Sequence, residues 1–119
     1  MIPYDNRFHR RNAIRYLYLK GDAYRSRYIT LKKISRKTVD SSINPTRAVV
    51  VVSKKTLKSA VRRNLIRRRI YAILREEIKK FDVPYDLALI VSSAEVLSLS
   101  HTDLKDLVCG LFQEANMYK

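Results

Sequence analysis

The sequence is short of several things, and each shortage closes off a class of protein. It has one cysteine, Cys109, so no internal disulfide can form, and two histidines, too few for a zinc site on ordinary ligand spacing. Cys109 sits among Leu107, Val108, Leu111 and Phe112 and reads as a small buried hydrophobe. Two glycines and three prolines exclude collagen-like repeats and long low-complexity tracts. No window approaches the ~18 consecutive apolar residues of a membrane span. The N-terminal stretch carries Arg7, Arg10 and Arg11 and no apolar run, so no secretory signal is expected and the cytoplasm is the expected location.

Acidic residues are the most telling shortage. Against 25 Lys and Arg stand 11 Asp and Glu, a net charge of +14 with a pI of about 10.2. The split along the chain is sharper still. Residues 1–75 hold 21 basic and three acidic side chains, a net of +18, whereas residues 76–119 hold four and eight, a net of −4. A surface charged merely for solubility has no reason to divide this way. Nucleic acid is the indicated partner rather than a membrane surface, because no long amphipathic helix pairs a broad apolar face with lysines. The 119 residues, 46% of them hydrophobic, suit one domain over 1–119 with a modest core.

Periodicity orders the elements. Residues 1–8 read as an irregular arm, with Pro3 resisting helix. Ile14, Leu17 and Tyr18 give helical spacing over 9–20, and Gly21 is placed to stop that helix. Residues 28–34 alternate, with Ile29 and Leu31 on one face and Thr30, Lys32 and Ile34 on the other, as a strand does. A polar loop follows. Residues 47–53 then run through four consecutive valines and read as a central strand buried on both faces. Helix is expected over much of 56–80, a third strand at 87–91, and a last helix starting within 98–102, with Thr102 a candidate cap. Leu104, Leu107, Val108, Leu111 and Phe112 line its core face. The expected class is an α/β or α+β two-layer sandwich in the order α-β-β-α-β-α, with a further strand edge in the 20s left open. The strands at 47–53 and 87–91, joined through a helix, should be parallel.

The segment Ala60-Val61-Arg62-Arg63-Asn64-Leu65-Ile66-Arg67-Arg68-Arg69 places five arginines in eight residues. At about 100° per residue, Asn64, Arg67, Arg68, Tyr71 and Arg75 form one polar stripe, while Ile66, Ile70, Ile73 and Leu74 form an apolar one. Like charges packed this closely repel one another on an isolated helix. Phosphate is the natural neutraliser, because the guanidinium fork binds it bidentately and stacks on bases. Asn64 offers a hydrogen bond to a sugar or base edge, and Tyr71 can stack or donate. Lys54 and Lys55 precede the helix as further cations. No helix-turn-helix pattern with a glycine turn precedes it, which argues against duplex DNA.

These motifs together resemble the bacterial ribonuclease P protein component. The resemblance rests on Val52-Ser53-Lys54-Lys55, then Ala60-Val61-Arg62-Arg63-Asn64 and the pair Arg67-Arg68. It extends N-terminally through Asn6-Arg7-Phe8, Ile14, Tyr18 and Gly21. C-terminally it runs through Tyr85-Asp86-Leu87, Ile90, Leu97-Ser98-Leu99 and the helix to Phe112. Two positions depart from the family pattern: Leu65 and Tyr71 stand where arginines are usual. The resemblance implies a left-handed βαβ crossover and a protein that removes 5′ leaders from precursor tRNA together with a catalytic RNA. The chemistry would belong to the RNA with Mg2+, and the protein would hold no cofactor or metal of its own. It implies that Lys54, Lys55, Arg62, Arg63, Asn64, Arg67, Arg68, Tyr71 and Arg75 meet the ribonuclease P RNA, with Arg7, Arg10 and Arg11 adding basic contacts. It further implies a cleft for the single-stranded leader lined by Ile14, Tyr18 and Lys32, positions that are often aromatic in the family.

Nothing in the sequence groups a general base or paired carboxylates for a self-contained nuclease, so no catalytic side chain is expected. A structural RNA-binding protein of the ribosome or its assembly is the alternative reading, and a small DNA-binding protein a more distant one.

Overall fold

The computed structural model describes residues 11–35 and 46–118. Helix α1 (Arg11–Lys20) leads into strands β1 (Asp22–Arg25), β2 (Ile29–Ser35) and β3 (Arg47–Val52). Helix α2 (Ala60–Glu77) tightens into a 3-10 turn (Ile78–Lys80), and β4 (Tyr85–Val91), a second 3-10 turn (Ala94–Ser98) and α3 (His101–Glu114) complete the order. The open strand in the 20s is therefore real, making the order α-β-β-β-α-β-α. The four strands form one sheet in the order β1-β2-β4-β3. β2 is antiparallel to β1 and β4, and β3 is parallel to β4, as the intervening helix requires.

The valine strand corrects an expectation. β3 lies at an edge of the sheet, not at its centre, and only one of its faces is buried: Ala48, Val50 and Val52 are inside, whereas Arg47, Val49 and Val51 are half-buried. A run of β-branched residues reports strand propensity and cannot say which strands lie beside it. The interior strand rich in buried apolar residues is β4, with Leu87, Ala88, Leu89 and Val91 all buried.

One face of the sheet holds the main core. Ile29, Leu31, Ala48, Val50, Val52, Leu87, Leu89 and Val91 pack there against Ile66, Ile70, Ile73 and Leu74 of α2 and Leu104, Val108, Leu111 and Phe112 of α3. The apolar stripes read from the sequence are thus the buried ones, with Leu107 at the margin. α2 starts later than its pattern suggested, where the Ser59 side chain accepts from the Arg62 N–H. α3 is capped by Ser100, whose Oγ accepts from Asp103 N–H at 3.1 Å, and not by Thr102, which already lies inside the helix. Either serine or threonine can cap a helix, so the sequence alone left the choice open.

The opposite face carries α1. Leu17 is fully buried over Ala88, with Ile14, Tyr18, Ile34, Val49 and Ile90 around them. Gly21 makes this seat possible: its N–H donates to Leu17 O at 2.8 Å, and a Cβ there would lie 2.5 Å from that same oxygen and 2.9 Å from Leu17 Cδ1. The chain ends on α3 with Asn116 in the left-handed region at φ 56°, and Met117 N–H returns to Phe112 O at 3.1 Å, a Schellman-type stop.

Candidate nucleic-acid interface

The loop entering α2 is a built turn. Thr56 and Leu57 N–H groups donate to Ser53 O at 3.2 and 3.1 Å, and Thr56 N–H also reaches Ser53 Oγ at 3.2 Å. This holds the intervening Lys54 and Lys55 in solvent, both exposed. Arg63 braces the second half of the loop, donating from Nη1 to Leu57 O at 3.0 Å and Lys58 O at 2.9 Å. A guanidinium has five N–H donors, so Arg63, half-buried, keeps others for a ligand.

Along α2 the expected stripe is present. Asn64, Arg67, Arg68 and Tyr71 line one groove of about 250 Å3, and Arg75 is exposed one further turn along. Arg67 Nη1 donates to Asn64 Oδ1 at 2.6 Å, which orients both side chains. Arg62 is exposed but precedes this groove. Tyr71 has a role the sequence did not disclose. Its hydroxyl accepts the Val50 N–H at 3.1 Å, so it occupies a ladder position on the open edge of β3 that would otherwise face solvent. The phenol tethers α2 to the sheet while its ring walls the groove.

Arg69 stands apart from its neighbours. It turns toward the second 3-10 turn and donates to Val96 O at 3.2 Å, Leu97 O at 3.4 Å and Leu99 O at 2.5 Å. That guanidinium fixes a chain reversal and is not part of the stripe. Helical spacing already set Arg69 off the stripe of Arg67 and Arg68; only the packing of the turn against α2 shows what it holds.

On the other side of the sheet, Ile14, Tyr18 and Lys32 do come together. Lys32 Nζ donates to Tyr18 O at 2.6 Å, part of the C-terminal end of α1, and lies 5.6 Å from the centre of the Tyr18 ring. Burial pushes the Tyr18 phenol above its ordinary pKa, so it stays a neutral ring with a donor. The half-buried Val49, Ile90 and Ile34 continue the surface beside α1. Arg47 and Asp86 close one end of this face with a bidentate pair, Nε to Oδ1 at 2.8 Å and Nη2 to Oδ2 at 2.7 Å. Arg7 and Arg10 lie outside the described residues, and Arg11 opens α1.

Cys109 is not the small buried hydrophobe its neighbours suggested. It is half-buried, and its Sγ–H donates to Glu77 Oε1 at 2.7 Å, joined there by the Tyr118 hydroxyl at 3.3 Å. The Lys80 ammonium lies 2.8 Å from Glu77 Oε2; that buried oxygen has no well-directed hydrogen bond, so the attraction is ionic. Burial alone would raise the Glu77 pKa, but the thiol, the ammonium and the phenol together hold it below its ordinary value. Burial and the same carboxylate push the thiol up, away from nucleophilic character. This network ties the end of α2 to the C-terminal segment.

Fold and charge define the class: a small basic α+β protein with a cluster of arginines along α2. The chain belongs to the ribonuclease P family, whose sequence profile matches residues 2–116. It is 43% identical over 76 residues to the ribonuclease P protein component of Pseudanabaena sp. (strain PCC 6903), covering 64% of this chain and 62% of that one. To the ribonuclease P protein component of Synechococcus sp. (strain JA-2-3B'a(2-13)) it is 31% identical over 117 residues, covering 98% and 86%. The fold matches that of the RNase P protein from Staphylococcus aureus with TM-score 0.79 at 18% identity, over 96% of this chain and 98% of that one. The Thermotoga maritima RNase P protein gives 0.76 at 16%, over 91% and 96%.

Proposed function

We propose that this chain is the protein subunit of a ribonucleoprotein endoribonuclease that removes the 5′ leader of precursor tRNA. In this reading α2 and the turn before it bind the ribonuclease P RNA. Lys54, Lys55, Arg62, Arg63, Arg67, Arg68 and Arg75 meet phosphates, while Asn64 and Tyr71 shape the groove between them. The cleft of Ile14, Tyr18 and Lys32 takes the single-stranded leader, Tyr18 and the Lys32 ammonium offering a ring face and a charge to one nucleotide. Arg7, Arg10 and Arg11 supply further basic contacts.

The observation that carries the proposal is the one-sided groove of Asn64, Arg67, Arg68 and Tyr71, on a chain of this family. Bond cleavage is assigned to the RNA and its Mg2+ ions. Among the described residues no three His, Cys, Asp or Glu side chains group closely enough to hold a metal. No helix among the described residues is long and apolar enough to cross a membrane, and the cytoplasm is the proposed location.

The test is reconstitution at low magnesium with ribonuclease P RNA and a precursor tRNA labelled in its leader. Cleavage at the mature 5′ end should require both components and fall with Arg67→Ala/Arg68→Ala. Cleavage by protein alone would refute the assignment of chemistry to the RNA. Tight RNA binding without enhanced cleavage would favour a structural RNA-binding role.

A further inference from the structure

One basic and aromatic segment plays no part in that reading: Tyr24-Arg25-Ser26-Arg27-Tyr28, the turn joining β1 to β2. It is rigidly built. Ser26 N–H and Oγ–H both donate to Ile29 O, at 2.9 and 2.7 Å, and Ile29 N–H returns to Ser26 Oγ at 3.2 Å. Tyr28 O is held by Ser92 N–H at 2.8 Å and Ser92 Oγ at 2.9 Å. The two arginines project from this frame, both exposed. Arg27 stacks its guanidinium 5.3 Å from the centre of the Tyr28 ring. The ion pairs among the described residues are Arg47–Asp86, Lys79–Glu76 and Lys80–Glu77. Neither Arg25 nor Arg27 is in them. Glu95, a carboxylate at this end of the sheet, is close enough to the Tyr28 hydroxyl to raise its pKa.

Strand register says where Arg25 points. It pairs with Thr30, Thr30 with Ile90, and Ile90 with Val51. The next row on that same face is Ala23, Lys32, Ala88 and Val49. Residues opposite one another in register share a face, as do residues two apart on one strand. Arg25 therefore stands on the face that carries α1, Tyr18 and Lys32, at the far edge of its outermost row. With strands about 4.8 Å apart, that row crosses the sheet in about 14 Å. At its other edge Val51 and Val52 lead straight into Lys54 and Lys55. A half-buried floor of Val51, Ile90 and Thr30, with Arg25 at one edge and exposed lysines following the strand at the other, suits a single strand of RNA, whose bases lie on the floor and whose phosphates reach the rims.

We infer that the Arg25–Arg27 turn extends the leader cleft, gripping the phosphates of the single-stranded 5′ leader where it leaves the row Val51–Ile90–Thr30. The inference deepens the proposed function and rests on it.

The test uses the reconstituted ribonucleoprotein with a precursor tRNA bearing a long 5′ leader and with the corresponding mature tRNA. R25A/R27A should leave assembly with ribonuclease P RNA unchanged and weaken binding of the leader-bearing RNA about tenfold at low salt. Mature tRNA should bind as before. The slope of log affinity against log salt should shrink by about 1.4 for two single-strand phosphate contacts. R25K/R27K should retain most of the affinity, separating loss of charge from damage to the turn. An equal loss for both RNAs, a loss of assembly, or no change at all would overturn the inference. Tyr18→Ala serves as the control on the underlying reading. If it discriminates leader-bearing from mature RNA and the turn variants do not, the turn alone is excluded. If neither discriminates, the leader cleft itself falls, and the inference with it.

Discussion

The two faces of the sheet are built from the same four strands and obey different rules. On one, α2 and α3 cover nearly every side chain, and residues such as Leu31, Leu87, Leu89 and Phe112 are wholly inaccessible. On the other, among the described residues α1 covers Leu17 and Ala88 fully and leaves Val49, Val51, Ile90, Thr30 and Lys32 half open. The first face stabilises the fold by burial. The second keeps apolar area and cations in contact with water, which a folded protein does not need and a single strand of RNA can use. α2 repeats the division within one helix: Arg69 and, in part, Arg63 hold carbonyls of the protein itself, while Arg67, Arg68 and Arg75 face outward.

The largest effect should come from the closed face. Phe112→Ala removes a fully buried ring and is expected to cost about 3–5 kcal/mol, measured by denaturant unfolding. Ile90→Ala on the open face should cost well under half of that, and equal losses would break the contrast. Next comes the division within α2. Arg67→Ala/Arg68→Ala should leave the melting temperature nearly unchanged but reduce the salt dependence of RNA binding by a slope of about 1.8. Arg69→Ala should do the reverse, destabilising by about 1.5–3 kcal/mol through three orphaned carbonyls with an unchanged salt slope. Gly21→Ala must move the Leu17 carbonyl or side chain, and about 1–3 kcal/mol of destabilisation is expected.

The smallest effect is one of pH. Glu77 is held below its ordinary pKa in the folded protein, so its ionised form contributes stability that is fully present above the unfolded value near 4.5. That contribution is lost as pH falls through the lower folded value. Acid unfolding of the parent should therefore be steeper below about pH 4.5 than that of Glu77→Gln, followed by circular dichroism. Parallel acid profiles would show that the carboxylate is not held by its partners.

Much of this was legible in the residues. The stripes Ile66, Ile70, Ile73, Leu74 and Leu104, Val108, Leu111, Phe112 follow from helical period alone, and so does the grouping of Asn64, Arg67, Arg68 and Tyr71. The parallel pairing of β3 and β4 followed from a helix lying between them. What could not be read depends on contacts distant in sequence. Tyr71 meets Val50 across 21 positions, Cys109 meets Glu77 across 32, and Arg69 meets Leu99 across 30. In Tyr24-Arg25-Ser26-Arg27-Tyr28 the composition alone marks a basic aromatic segment, but not the face on which its arginines lie.

By itself the sequence determined which residues are apolar and at what period, where the positive charge is concentrated, and which helix must carry it, because these are properties of local spacing. Only the tertiary structure decided that the valine strand is an edge, which arginines are spent on the protein's own carbonyls, and that Arg25 shares a face with Tyr18 and Lys32. Those outcomes depend on strand order and register, and a chain's local pattern is equally compatible with several orders until the sheet forms.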